Sequence, residues 1–187
     1  MIQARVTQLT KGDLVGEELG SRFGGFNGRD AEQKLQQRGY KMSNGAGVDM
    51  PLEKVEVKTR AKEATSPHTV ATMKANAIIN TDYKNSLVYE KFQQQYRIKT
   101  ENNIVTENKI YDFSNEWVQR DIQEAYEICQ AKLQAGDKGD TIYGSSWGYL
   151  EKKKGTKSSY SFRISHGAME KLEAMTTSTL SKHFTLE

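Results

Sequence analysis

The residues best suited to chemistry are Asp49, Glu56 and Lys58. They lie in the stretch Gly47-Val48-Asp49-Met50-Pro51-Leu52-Glu53-Lys54-Val55-Glu56-Val57-Lys58-Thr59. Val55, Val57 and Thr59 alternate with Glu56 and Lys58, the period-two signature of a strand. Successive strand side chains point to opposite faces, so the valines face a core while Glu56 and Lys58 share the other face. Asp49 belongs to a short extended segment, Val48 to Met50, that follows the turn Asn44-Gly45-Ala46-Gly47. With the two segments adjacent, the Asp49 and Glu56 carboxylates converge and Lys58 stands beside them. Two convergent carboxylates suit a hard cation such as Mg2+, with Mn2+ as a substitute, because water and substrate phosphate complete the shell. A neighbouring lysine can orient or activate the attacking water and offset charge on the phosphate. The expected chemistry is metal-dependent phosphodiester hydrolysis. The competing reading is a solvated edge strand whose Glu56 and Lys58 are ordinary surface charges.

Several elements must position these residues. A first helix is expected from about Asp13 to Arg22, broken by the glycine-rich Phe23–Gly28. A second runs from Asp30 as N-cap to Arg38 and stops at Gly39. Ser66-Pro67 reads as a cap and first position of a helix carrying Val70, Met73, Ala77 and Ile78. Ser86 to Lys99 reads as a long strand, paired through the turn Glu101-Asn102-Asn103 with Ile104 to Phe113. Ser114 is placed to cap a helix whose stripe is Val118, Ile122, Ala125, Cys129 and Leu133. That helix ends at Gly136-Asp137-Lys138-Gly139-Asp140. A hairpin of Trp147–Glu151 and Ser159–Ile164 follows, and a last helix spans Ala168 to Met175. The pattern is α/β: one domain over residues 1–187, with a central mixed sheet flanked by helices and its first strands antiparallel.

Other candidates are weaker. His68, expected on the first turn of a helix, could contact a phosphate or assist proton transfer, against the blander reading of a surface histidine. Lys74 on the same helix could reach DNA or simply be solvated. The turn Lys152-Lys153-Lys154-Gly155-Thr156-Lys157, in a C-terminal basic hairpin spanning about 145–165, could track a phosphate backbone or enter a groove. It could equally be a solvated turn that protects a sheet edge. The Gly20–Gly28 loop lacks the Gly-Lys-Ser/Thr ending of a phosphate-binding P-loop. No Ser-His-Asp or Cys-His pattern supports covalent catalysis.

Composition bounds the classes. A chain of 187 residues with 36% hydrophobic residues and net charge +3 fits a mildly basic globular protein that permits, without requiring, a polyanionic partner. Cys129 is the single cysteine, so an internal disulfide framework and a cysteine-based zinc site are excluded. His68, His166 and His183 are too dispersed in sequence to suggest a structural zinc centre. No run approaches the ~20 apolar residues of a membrane span. Met1–Thr10 does not read as a signal peptide, so a reduced, cytoplasmic setting is expected.

The acid followed by Glu-x-Lys resembles the PD-(D/E)xK, or restriction-endonuclease-like, superfamily over roughly Asp30 to Thr59. Asp49 falls on the family's first acid, Glu56 on its second and Lys58 on its lysine. Val48 departs from the proline of the motif's name. The resemblance implies a restriction-endonuclease-like core, Mg2+ as cofactor and double-stranded DNA as substrate. It also implies an acid from the preceding helix, for which Glu32 is best placed and Glu18 is the rival. A type II restriction endonuclease is the setting it favours, and two strands to cut favour a homodimer. Alternatives are a phage, recombination or repair nuclease acting on branched or nicked DNA, and a non-catalytic nucleic-acid-binding protein.

Overall fold

The computed structural model describes residues 13–20 and 26–183, with side-chain surroundings given for 13–20 and 27–176. Met1–Thr10 and most of the glycine-rich loop, residues 21–25, lie outside the described residues. The chain is α/β, with a mixed sheet and flanking helices, and its packing gathers in two compact units. Of the described residues, unit 1 comprises 13–20, 26–64, 94–112 and 176–183; unit 2 comprises 65–93 and 113–175.

Unit 1 is built on helix α1 (Phe26–Gln37) and strands β1 (Glu56–Ala61), β3 (Gln94–Glu101) and β4 (Ile104–Asp112). The sheet order is β1-β3-β4, with β1 parallel to β3 and β3 antiparallel to β4. The β3–β4 turn is the expected one. Asn102 and Asn103 both take positive φ, at 52° and 65°, the backbone of a two-residue turn that matches strand twist and tolerates asparagine. Helix α1 ends as its glycine requires: Gly39 adopts φ 96° while its N–H and that of Tyr40 donate back to the carbonyls of Gln36 and Leu35. It begins four residues earlier than expected, and the Asp30 carboxylate accepts instead from the Gly20 N–H.

The expected helix at Asp13–Arg22 is corrected over its described part. Gly16 has φ 90° in a turn closed by the Glu17 N–H donating to the Leu14 carbonyl, and the segment lies beside the start of β4, where the Gly16 N–H donates to the Val105 carbonyl at 2.8 Å. Leu14 and Leu19 reach the core from this segment, while Val15 stays exposed. They join Ala31 and Leu35 of α1, Met50, Val55 and Val57, and Tyr96, Ile98, Val105 and Ile110 of the hairpin.

Unit 2 holds strands β2 (His68–Lys74), β5 (Thr141–Ser145), β6 (Gly148–Lys152) and β7 (Ser159–Ile164) in an antiparallel sheet of order β2-β7-β6-β5. Helices α2 (Ala75–Asn80), α3 (Leu87–Lys91) and α4 (Glu116–Gln134) accompany it. Helix α5 (His166–His183) is longer than the Ala168–Met175 expected. Two expectations fail here. The segment after Pro67 is a strand, because Thr69, Val70 and Thr72 are β-branched and the segment pairs with β7 around a bulge at Val70, and the helix starts only at Ala75. The long strand from Ser86 is shortened, because the Ser86 hydroxyl accepts from the Tyr89 N–H and caps α3; β3 begins at Gln94.

The stripe of α4 is buried as expected, with Tyr126 added. Its cap is Asn115, one residue after Ser114, accepting from the Val118 N–H at 2.9 Å. Two glycines fix the packing below it. A Cβ on Gly144 would meet the Ala125 carbonyl at 2.6 Å, and one on Gly148 would lie 2.3 Å from the Phe162 ring.

Candidate active site

The site in unit 1 starts from one antiparallel bridge. Met50 and Val55 exchange backbone hydrogen bonds of 2.9 and 3.2 Å across the turn Pro51–Lys54, in which Lys54 takes φ 58°. Both side chains are fully buried in the core. Residues directly opposite in such a pair share a face, and the next pair outward points the other way. That next pair is Asp49 and Glu56. Val48–Met50 is thus not a full strand, yet its single bridge suffices to bring the two acids to one side.

Glu56 then holds the backbone of Asp49, and Asp49 holds that of Val57, the residue after Glu56. The Asp49 N–H donates to Glu56 Oε1 at 3.2 Å, and the Val57 N–H donates to Asp49 Oδ2 at 2.9 Å. Lys58 Nζ lies 3.4 Å from Glu56 Oε2. Asp49, Glu56 and Lys58 are therefore brought together. Alternation misses one property: Glu56 is only 2% exposed, so the face opposite the valines is not an open surface. Lys58, with 27% of its side chain exposed, links that buried carboxylate to solvent.

Among the described residues no three His, Cys, Asp or Glu side chains form a group that could hold a metal ion. Glu32 on α1 is half-buried and Glu18 is exposed, and neither joins the Asp49–Glu56 pair in such a group. The pair alone fits magnesium's habits. Its donors are hard carboxylate oxygens, and Oδ1 of Asp49 accepts no hydrogen bond among the described residues. One or two carboxylates plus water and phosphate is the usual protein contribution to a Mg2+ shell.

Sequence reasoning missed what lies beside the pair. Register places Gln95 and Tyr111 next to Glu56, and Arg97 and Lys109 next to Lys58, all on one face. Gln95 and Arg97 are buried, and Arg97 Nη1 donates to Gln95 Oε1 at 2.7 Å. A row of three cations, Lys58-Arg97-Lys109, crosses the sheet at roughly 4.8 Å per strand. Like charges directly opposite on a sheet repel. Lys109 is relieved by Glu107 at 3.4 Å and Lys58 by Glu56. The signal was present in Gln95-Tyr96-Arg97-Ile98, which alternates polar and apolar as Glu56-Val57-Lys58 does. Glu53, buried within the turn, is a further acid that the motif does not name.

The remaining candidates belong to unit 2. His68 is not on a helix; it opens β2 and is buried, with Nε2 3.0 Å from His166 Nδ1. His166 Nε2 in turn lies 2.9 Å from Glu170 Oε1. Lys74 is exposed at the end of β2. Lys152 is committed to local structure: its ammonium donates to the Lys138 carbonyl at 2.9 Å, pairs with Asp140 at 3.8 Å and sits over the Tyr160 ring. Lys153 and Lys154 are exposed.

No family model matches this chain, and a search of curated proteins finds no match.

Proposed function

We propose that unit 1 carries the site of a Mg2+-dependent DNA endonuclease with a restriction-endonuclease-like core. The setting that best suits it is a type II restriction enzyme cutting double-stranded DNA as a homodimer. The supporting observation is the pair of backbone hydrogen bonds, Asp49 N–H to Glu56 and Val57 N–H to Asp49, with Lys58 Nζ 3.4 Å from Glu56 Oε2. Asp49 and Glu56 would hold the ion, which when bound supplies positive charge to the scissile phosphate and acidifies water in its shell. The Asp49 and Val57 N–H groups fix the two carboxylates beforehand, so little reorganisation is needed on binding. Lys58 orients the nucleophile and offsets charge on the phosphate, with the Glu56 carboxylate setting its position. Arg97 and Lys109 extend the positive row along which a phosphate backbone can lie.

The test is cleavage of supercoiled plasmid in Mg2+, then in Mn2+, with end mapping of the products. Lys58→Ala should abolish cleavage while leaving Ca2+-supported DNA binding within a few-fold of wild type. Cleavage that persists unchanged in Lys58→Ala places the chemistry elsewhere. End mapping separates a fixed duplex cut from nicking or branch-directed cutting.

A further inference from the structure

The second sheet has a face whose residues alternate with its core and point the other way. Register aligns Thr69, Arg163, Tyr149 and Tyr143 in one row across β2, β7, β6 and β5. Tyr143 is 68% exposed, and its ring centroid lies 6.4 Å from that of the half-buried Tyr149. The next row is short and polar, with Thr72 Oγ1 and Ser161 Oγ hydrogen-bonded at 2.8 Å. Small side chains there, on β2 and β7, keep that part of the face low. Glu151 in that row is neutralised by Arg163. At the β6–β7 end the charge changes: Lys74 on β2 and Lys153, Lys154 and Lys157 in the turn are all exposed.

We propose that this face binds single-stranded nucleic acid, with Tyr143 and Tyr149 stacking on bases and the lysine end holding phosphates. The four exposed lysines at that end outnumber the exposed Asp140 and suit a polyanion. The open face of Tyr143, with Tyr149 beside it, suits flat apolar partners, and single-stranded nucleic acid alternates the two chemistries. From Tyr149 to Lys153 the strand advances about 13 Å at ~3.3 Å per residue, a span of two or three nucleotides. A duplex hides its base faces within the stack, so it can engage the lysines but not the tyrosines. Aromatic stacking accepts any base, so little sequence preference is expected.

This inference does not rest on the nuclease reading, and the experiment keeps the two apart. Fluorescein-labelled dT15, U15 and a 15-base-pair duplex are titrated with the full chain in EDTA and followed by anisotropy. At least one single strand should bind more tightly than the duplex. Tyr143→Ala should weaken that binding by about 5- to 100-fold, the range for loss of one stacked base, and leave the duplex isotherm unchanged. Tyr143→Trp, which keeps a stacking surface, should restore it. Replacing Lys153, Lys154 and Lys157 by alanine should flatten the dependence of log affinity on log salt by about two units, at ~0.7 per lost phosphate contact. The factor lost in Tyr143→Ala should be the same when measured in an Asp49→Asn background, so that the effect does not run through the proposed nuclease site. Equal or tighter duplex binding, or single-strand affinity indifferent to both Tyr143→Ala and Tyr149→Ala, overturns the proposal.

Discussion

The two units treat their buried positions differently. In unit 2 the largest fully buried side chains are Tyr83, Tyr126, Phe92, Phe113 and Phe162. Phe92 and Phe113 stack at 4.4 Å. The phenols are satisfied, Tyr83 by Gln119 Oε1 at 2.6 Å and Tyr126 by the Thr81 carbonyl at 3.0 Å. Such a core gains from apolar area and from aromatic geometry. Unit 1 instead buries Glu53, Glu56, Gln95 and Arg97 around one sheet. Burying charge is expensive even when it is paired, and apolar replacements of similar shape are often neutral or stabilising. Unit 2 buries His68, Ser86 and Glu173 as well, but none of them in a charged row across a sheet. That contrast is why the proposed chemistry is placed on the first sheet.

The contrast breaks most visibly at Glu56. Glu56→Gln keeps an acceptor for the Asp49 N–H and removes a buried charge, while Lys58 remains partly solvated. Cleavage should fall on the order of 10²-fold or more, the scale of losing one preorganised electrostatic group. Thermal stability should hold or rise slightly. A variant that loses more than about 2 kcal/mol in urea melts would make Glu56 structural and remove the main support for the nuclease site.

In unit 2 the same kind of change should act on stability alone. Gly148→Ala drives a methyl to 2.3 Å from the Phe162 ring, which is itself fully buried and cannot swing away. Overpacking of this kind costs typically 1–3 kcal/mol. Chemical denaturation should show that loss, with Ca2+-supported DNA affinity of the folded protein retained. A melt indistinguishable from wild type would mean that β6 and β7 can separate more easily than their packing implies.

What could be read from residues alone follows the length of each pattern. The α4 stripe repeats over several turns and admits one interpretation, and the β3–β4 hairpin carries both alternation and its asparagine turn. Glu56-x-Lys58 was legible because valines mark its other face. The burial of Glu56 was not, since it depends on β3 and the Pro51–Lys54 turn, distant or irregular in sequence. The β2 segment failed because Val70, Met73 and Ala77 satisfy a helical spacing while Thr69, Val70 and Thr72 favour a strand; pairing with β7 decides. Strand β5 is short and contains Gly144, so nothing local marks it; close approach to Ala125 and Cys129 does. For Asp13–Gly20 the apolar spacing suggested a helix that Gly16 interrupts.

The smallest effect expected is confined to alkaline pH. Burial pushes the Cys129 thiol from 9.0 up to about 11, and burial likewise pushes the Tyr126 phenol from 10.0 up to about 12. Both groups are neutral when protonated, so the folded chain holds these protons more tightly than the unfolded chain does. The sign follows from linkage: their contribution is fully present below the unfolded values and is lost as pH rises through the folded ones. Unit 2 should therefore weaken progressively from about pH 9 to pH 12. Urea midpoints measured across that interval should fall less steeply in Cys129→Ala, which removes one raised group from the balance while the Tyr83, Tyr126 and Tyr149 phenols, also raised by burial, remain; its midpoint at pH 7 should be lower. At pH 7 native Cys129 should react far more slowly with iodoacetamide than the urea-unfolded chain, because the thiolate is both scarce and buried. An alkaline limb of the same slope in Cys129→Ala would assign the loss to other groups, and rapid native alkylation would show that the helix–strand contact around Gly144 opens readily.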